Sequence, residues 1–166
     1  MKVKEQSDPA QSSLFSIKKI FLFFQSLKKN FSKNHSDIPV DSDEYLARFI
    51  VYRKWIRNSD NSVKQDAFIP HPHEELSVTR HSRPKNLSMT EIWVIGEKVA
   101  KTRNATLYGR ADIQTAHVRR QNLDVIPNWI EGNPNHANII RWPSDKALQK
   151  SIAQQLSAVS RYIPKS

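Results

Sequence analysis

The residues best suited to chemistry in this chain are its histidines and arginines, because it has six histidines and no cysteine. His136 lies among asparagines in the segment GNPNHANIIRWPSDK, and Arg141 follows five residues later. Histidine exchanges protons near neutral pH and arginine binds anions. The segment therefore predicts a proton donor or acceptor beside a bound anion. In the alternative, asparagine and proline only shape the turns, and His136 packs or caps.

A second candidate for proton transfer is the pair Arg110 and His117, which have six residues between them. If RADIQTAHVRR is helical, the two side chains lie about two turns apart on one face, where His117 transfers protons and Arg110 holds a scissile phosphate. Over these eight residues the spacing resembles that of the catalytic arginine and histidine of the HEPN ribonucleases. The resemblance implies ribonuclease activity and an all-helical fold, whereas other segments of this chain have strand patterns.

Basic residues interleaved with aromatic ones favour nucleic-acid binding. Lysine and arginine neutralise phosphates, and exposed tyrosine or tryptophan stacks on unpaired bases. The residues predicted to bind nucleic acid are Arg53, Lys54, Trp55, Arg57, Arg119, Arg120 and Arg141. The alternative is a solvated basic face whose aromatic residues point inward.

The pattern predicts neither a metal site nor a cofactor. His71 and His73 alternate with prolines, and a solvated loop is the preferred interpretation over a shared metal ion. The three glycines, Gly96, Gly109 and Gly132, lie too far apart for a dinucleotide fingerprint or a nucleotide-phosphate loop. The common nucleotide-cofactor folds are therefore excluded.

The net charge of +10 favours polyanionic partners, either nucleic acid or anionic lipid. Residues 1–40 carry seven lysines and three acidic residues, and the rest of the chain carries 19 basic and 13 acidic residues. The positive excess is thus spread over both parts. The absence of cysteine suits a reducing compartment and leads us to expect a cytoplasmic protein.

An N-terminal arm is predicted over residues 1–40, with a basic amphipathic helix between Ser13 and Phe31 and a Ser, Asn, Asp and Pro-rich linker after it. The apolar face of that helix consists of Ile17, Ile20, Phe21, Phe24, Leu27 and Phe31. Three occupants of this face stay open: the domain's own core, a partner protein, and an anionic membrane surface. The apolar run is too short for a transmembrane helix.

Residues 41–166 are predicted to form one small α+β domain of short strands and helices with a C-terminal amphipathic helix. We expect a helix from the acidic residues after Asp41 to about Val51, although FIVYRKWI also permits a strand. Strands are predicted at LSVTR, LDVI and ANIIRW, and a helix EIWVIGEKVAK capped by Thr90. The last helix begins after Ser144, with Leu148, Ile152, Leu156, Val159 and Ile163 on one side.

The sequence favours a non-catalytic binding component that contacts nucleic acid or a nucleic-acid-associated protein. One alternative is a ribonuclease or other phosphate-acting enzyme that uses His136 or the pair Arg110 and His117. Another is an adaptor for a membrane surface or a partner protein through residues Ser13 to Phe31. The sequence predicts no oligomeric state.

Overall fold

A six-stranded antiparallel sheet forms the centre of the domain. The computed structural model describes residues 38–70 and 74–165. Their strands are β1 Tyr45–Ile50, β2 Leu76–Arg80, β3 Gly109–Gln114, β4 Asp124–Pro127, β5 His136–Ile140 and β6 Arg161–Pro164. Their helices are α1 Met89–Thr102, α2 Thr115–Arg119 and α3 Lys146–Val159. The strand order is β4-β5-β2-β1-β3-β6, so the predicted α+β class is confirmed.

Strand β1 lies near the middle of the sheet, where the sequence predicts a helix. Leu46 and Ile50 point to one face, and Ala47 and Phe49 to the other, and all four are buried. A strand covered on both faces is apolar throughout and loses the alternation that normally reveals a strand. The acidic residues before it do not cap a helix. The strand that FIVYRKWI also permits is the correct interpretation of this segment.

The two faces of the sheet pack into separate hydrophobic clusters. Leu46, Ile113 and Ile139 lie on the face covered by α2 and α3, where Leu156 packs on them. On the opposite face, Phe49 clusters with Ile92, Ile95 and Ala100 of α1. The sheet is therefore a layer between helices, and each strand contributes alternate side chains to the two clusters.

Helix α1 begins two residues earlier than predicted. Ser88, not Thr90, is its N-cap, and the side chains of Ser88 and Glu91 form a reciprocal capping box. Gly96 faces the sheet, where a Cβ atom would lie 2.8 Å from the ring of Phe49. The glycine thus allows close contact between helix and sheet, which offsets its poor helix propensity.

Helix α3 is capped by Asp145, whose carboxylate accepts a hydrogen bond of 2.7 Å from the Leu148 amide, so the predicted cap Ser144 is one residue too early. The helix ends at Val159. Ile163 therefore belongs to β6, which pairs with β3 at one edge of the sheet. Strand β4 forms the other edge, and these two edge strands end at Pro127 and Pro164.

The segment RADIQTAHVRR is a strand followed by a short helix, not one helix. Residues Arg110–Ile113 are buried within β3, because that strand lies between β1 and β6. Helix α2 starts only at Thr115, whose hydroxyl donates to the Glu44 carbonyl oxygen over 3.1 Å.

Residues 38–40 pack onto the domain. Val40 is buried in the larger cluster, and the Arg80 guanidinium donates to the carbonyl oxygens of Ile38 and Pro39 over 2.9 Å each. The predicted helix between Ser13 and Phe31 lies outside the described residues. Within the described ranges, no helix has the length and hydropathy needed to cross a bilayer.

Candidate functional site

Polar side chains cluster on the α1 face of strands β2 and β5. The register pairs Ser77 with Asn138 and Thr79 with His136, and directly paired residues share a face of the sheet. We call these four residues the polar row. Alternation along β5 places Ala137 and Ile139 in the core on the other face, so the same strand that builds the core presents His136 and Asn138.

A cavity of about 220 Å³ lies between part of this row, the second half of α1 and the loop from β4 to β5. We call it the His136 cavity. Its walls are partly apolar, formed by Phe49, Ile95, Val99 and Ile130. On the loop side, the wall is a tight turn in which the backbone N–H of Asn133 donates to the Ile130 carbonyl oxygen over 3.0 Å. Gly132 adopts a φ of 81° there, a conformation that glycine accepts without strain.

Asn133 lines this cavity, and its side chain also carries a buried hydrogen-bond acceptor without a partner among the described residues. Its Nδ2 donates to Thr79 Oγ1 over 2.8 Å, while its Oδ1 is buried and has no hydrogen-bond partner. Asn138 is similar, since its Nδ2 donates to Glu75 Oε2 and its Oδ1 is unpaired, but it does not line the cavity. A buried acceptor without a donor is costly, by about 1–3 kcal/mol, and such atoms often mark functional positions.

His136 is oriented to leave one ring nitrogen unoccupied. Its Nδ1 lies 2.6 Å from the Asn128 carbonyl oxygen, which can only accept, so Nδ1 donates. Burial lowers the pKa of His136 below 6.5, against the opposing effects of this hydrogen bond and of Glu75. At pH 7 the ring is therefore neutral, with Nε2 as an acceptor or base.

Three cations line the His136 cavity: Arg48, Lys98 and Arg103. None of them has a carboxylate within ion-pair distance among residues 38–70 and 74–165. Arg48 instead donates to two backbone carbonyl oxygens, those of Ala67 and Ser77, over 2.8 and 3.0 Å. Burial, and then the charge of Arg103, lower the pKa of Arg48 to about 9, so it remains cationic at pH 7. Glu131 also lines this cavity, so its three cations and one carboxylate leave a formal excess of two positive charges, which attracts anions.

A second cavity, of about 700 Å³, adjoins the first. We call it the Trp55 cavity, and the two together the Arg103 groove, because Arg48, Ser77 and Arg103 line both. Tyr52 and Trp55 meet edge to face there, with ring centroids 4.7 Å apart. The Arg48 guanidinium lies 5.5 Å from the Trp55 ring centroid, within cation–π range.

Only some of the residues predicted from sequence lie in this groove. Lys54 and Trp55 line the Trp55 cavity, and His136 lines the other. Arg53 lines a different cavity, beside Tyr108 and Tyr162. Arg57 donates to Ser62 Oγ and to the Val63 carbonyl, so it stabilises its own loop.

The remaining predicted arginines gather around Asp124. Arg119 and Arg141 each lie 3.6 Å from its carboxylate, and Arg119 also donates to the Val40 carbonyl oxygen over 2.6 Å. Arg120 and Arg141 line a further cavity. These three residues lie together, but two of them share a carboxylate, which reduces the local excess of positive charge.

Arg110 and His117 do not share a helix. Arg110 is fully buried on β3, where its Nε donates to Asp112 over 3.0 Å and its guanidinium lies 4.8 Å from the Trp93 ring centroid. His117 lies on α2, with its Nδ1 3.4 Å from the Arg120 guanidinium. The helix assumed for the pair is absent, and with it the geometric basis of the resemblance to HEPN ribonucleases.

Sequence alone predicts no individual role for Arg48, Lys98, Arg103 or Asn133, although Asn133 lies in the asparagine-rich segment around His136. These residues come from β1, α1 and a loop, and only the fold brings them together. A further local signal was the glycine before Asn133. His71 and His73 lie outside the described residues, and among the residues described no group of three or more potential ligands could hold a metal ion.

Comparison with known protein families, curated proteins and solved structures finds no match for this chain. A function for the domain must therefore be argued from the chemistry of the groove. The His136 cavity holds three cations, the Glu131 carboxylate and a neutral histidine. The Trp55 cavity adds two aromatic rings and Lys54, together with the carboxylates of Asp66 and Glu75.

Proposed function

We propose that this protein is a non-catalytic binding component that contacts single-stranded nucleic acid through the Arg103 groove. The observation that carries the proposal is the set Arg48, Lys98 and Arg103, which line one cavity and lack carboxylate partners in the described part of the chain. A phosphodiester backbone supplies the negative charge that these cations lack, and its binding releases counterions. Specific base readout is not required for this contact.

The aromatic residues of the groove favour single strands over duplexes. Tyr52 is 39 % exposed beside Trp55, and Trp129 is 39 % exposed in the loop next to the His136 cavity. Aromatic side chains stack on bases that are not already stacked in a duplex. Small cavities with such rings nearby fit bases that have left the stack, which is the common mode for single-stranded RNA.

The test is fluorescence anisotropy of the full chain with labelled mixed-sequence single strands of about 12 nucleotides, titrated at several salt concentrations. We expect measurable affinity at about 50 mM salt that falls as salt rises. Arg103→Gln should weaken binding and flatten the plot of log affinity against log salt by about 0.7, the effect of one lost phosphate contact on a single strand.

Lys150→Gln is the matched control. Lys150 is exposed on α3 and lines neither cavity of the groove, and it also lacks a carboxylate partner among the described residues. Lys150→Gln removes one positive charge, as Arg103→Gln does, and should leave the salt slope nearly unchanged. Undetectable affinity at about 50 mM salt, or equal effects of the two variants, would rule out the groove as the binding surface.

His136 supports a second candidate, a ribonuclease or other phosphate-acting enzyme. Its neutral ring and accessory hydrogen bond to Asn128 are the arrangement of a general base, and the neighbouring cations suit a scissile phosphate. If the wild-type chain cleaves RNA, His136→Ala should abolish cleavage. Cleavage that survives this substitution would exclude the role.

A further inference from the structure

We infer that a groove beside helix α3 is a docking site for an acidic amphipathic helix of a partner protein. The groove consists of two cavities, of about 300 and 340 Å³, which share the residues Arg120, Gln121 and Gln155 and therefore adjoin each other. We call it the α3 groove. It shares no lining residue with the Arg103 groove, so the inference goes beyond the proposed function and does not depend on it.

An aliphatic stripe of α3 forms one wall of the α3 groove. Leu148 and Ile152 line one cavity, and Leu156 and Val159 line the other. These positions recur every three or four residues, so they lie on one face of the helix over about three turns. Leu148 is 50 % exposed and Val159 is 48 % exposed, whereas the two residues between them are buried. The stripe therefore leaves apolar surface at both ends that another protein can cover.

The opposite wall of the α3 groove is basic. Arg120 and Arg141 line it together with His117, and no acidic residue is among the described residues that line either cavity. Arg120 is exposed and has no carboxylate within ion-pair distance in the described ranges. Arg141 shares the Asp124 carboxylate with Arg119, and its side chain is 69 % exposed. Carboxylates of a partner beside the stripe therefore meet complementary charge.

Shape and charge favour a protein partner over the other occupants of a basic groove. No aromatic residue in the described part of the chain lines the α3 groove, so it offers no stacking surface for unpaired bases. The two buried residues of the stripe are recessed between its half-exposed ends, where protruding side chains of a helix can insert and a flat lipid surface cannot. Residues 1–40 of the same chain carry seven lysines against three acidic residues, which Arg120 and Arg141 repel.

The stripe also sets the length and pattern of the partner helix. Leu148 and Val159 lie near the two ends of α3, and the distance between them along the helix axis is about 16 Å, at about 1.5 Å per residue. A partner helix of about 12–15 residues covers that distance. Its apolar residues recur at i, i+4, i+7 and i+11 to face the stripe, and its aspartates or glutamates flank them to face the basic wall.

The experiment measures binding of three labelled synthetic peptides of about 14 residues to the full-length protein by fluorescence anisotropy. The acidic peptide has leucine at i, i+4, i+7 and i+11 and glutamate beside the leucines. The basic peptide has lysine in place of every glutamate, and the scrambled peptide has the composition of the acidic one without an apolar face. We expect the acidic peptide to bind at least about tenfold more tightly than the other two, because only it matches both the stripe and the charge.

Arg120→Glu tests the charge of the groove. It should weaken binding of the acidic peptide by about tenfold and strengthen binding of the basic peptide, because the wall that repels lysine becomes attractive. A gain of affinity for the basic peptide cannot arise from a misfolded variant. Lys150→Glu is the matched control, because it also reverses one charge on an exposed residue but lines neither cavity of the α3 groove.

Leu148→Gln tests the apolar contact without a change of charge. It removes aliphatic surface from a half-exposed residue and should weaken binding of the acidic peptide by about fivefold. Val94→Gln is the matched control, because Val94 is 49 % exposed on α1 and lines neither cavity. Equal effects of these two variants would contradict docking on the stripe.

Each other occupant of the α3 groove gives a different result. No binding of the acidic peptide at about 1 mM, or equal binding of the scrambled peptide, overturns the proposal. If the acidic peptide fails while Leu148→Gln weakens binding of single-stranded RNA or of phosphatidylserine vesicles, the groove belongs to that ligand and the proposal is overturned. A dimer of the chain that dissociates in Leu148→Gln assigns the groove to a second copy and overturns it as well.

Discussion

Three arginines are buried in this domain, and their partners differ. Arg80 is paired with Glu44 and Arg110 with Asp112, so each has a carboxylate. Arg48 has two backbone carbonyl oxygens and the Trp55 ring as partners, but no carboxylate in the described part of the chain, although burial of a cation normally requires a countercharge. The two paired arginines have structural partners that account for their burial. Arg48 has no carboxylate within ion-pair distance among the described residues, which is why the proposed function assigns it to the groove.

The pair of Arg80 and Glu44 should be a major contributor to stability. Both side chains are at most 4 % exposed, and Glu44→Gln would leave the Arg80 charge without a countercharge. We expect the free energy of unfolding to fall by about 3–5 kcal/mol, measured by urea denaturation.

Asp41→Asn is the control for this prediction. It breaks the pair of Asp41 and Arg83, whose side chains are 50 % and 53 % exposed, and should change stability by less than about 1 kcal/mol. Similar losses in the two variants would contradict the assigned roles.

His136 predicts a pH dependence of stability with a definite sign. Its pKa in the folded chain is below the ordinary 6.5, so between those two values the unfolded chain binds more protons. Stability from this group is therefore complete above about pH 6.5 and declines as the pH falls towards the folded-state pKa. Urea denaturation of His136→Gln should show a smaller loss on acidification than the wild type. An identical pH profile would contradict the prediction.

At the scale of elements, five strands and helices were predictable from local sequence patterns. The apolar patterns of β2, β4 and β5 predict strands, and the helical spacing of α1 and α3 predicts helices. β1 and β3 were missed because they are buried on both faces and contain polar residues that are paired there. Arg110 pairs with Asp112 on the same strand, whereas Arg48 donates to the carbonyl oxygens of Ala67 and Ser77, which are distant in sequence.

The candidate site was predictable to the same limited degree. His136, Lys54 and Trp55 stand out by residue type and neighbours, and they line the groove. Lys98 and Arg103 look like ordinary solvated charges at the end of a helix. Their position opposite the polar row depends on long-range packing of α1 against the sheet, which single-sequence periodicity does not encode.

Gly96→Ala tests the contact between α1 and the sheet. Alanine is the better helix former by about 1 kcal/mol, yet its Cβ would lie 2.8 Å from Phe49. We expect a net destabilisation of about 1–3 kcal/mol by urea denaturation, as is typical of overpacking.

The same substitution in a Phe49→Leu background should be better tolerated, because the ring that meets the new methyl group is gone. A more stable Gly96→Ala protein would mean that the sheet contact yields easily.

At the scale of the whole molecule, positive charge is not neutralised evenly. Of the 19 lysines and arginines in residues 38–70 and 74–165, seven lie in ion pairs with carboxylates. The other twelve include all three cations of the His136 cavity. If every cation were paired with a carboxylate, a polyanion-binding surface would be disfavoured. The described residues do not show such even pairing.

The N-terminal limit of the domain can be tested by comparing two truncations. A chain that starts at Ile38 keeps the buried Val40 and two carbonyl partners of Arg80, whereas a chain that starts at Asp41 loses them. We expect the shorter chain to be less stable by at least about 2 kcal/mol, from the lost apolar burial and hydrogen bonds. Equal thermal and urea stability would place the limit after Val40.

The two edge strands, β4 and β6, limit how readily the sheets of two copies of the protein can pair. Each is four residues long and terminates in proline, which offers no amide proton to an incoming strand. A strand from a neighbouring copy can therefore form only a few backbone hydrogen bonds with either edge strand. If the proposed function holds, copies gathered on one strand of nucleic acid are protected in this way from joining their sheets into fibrils.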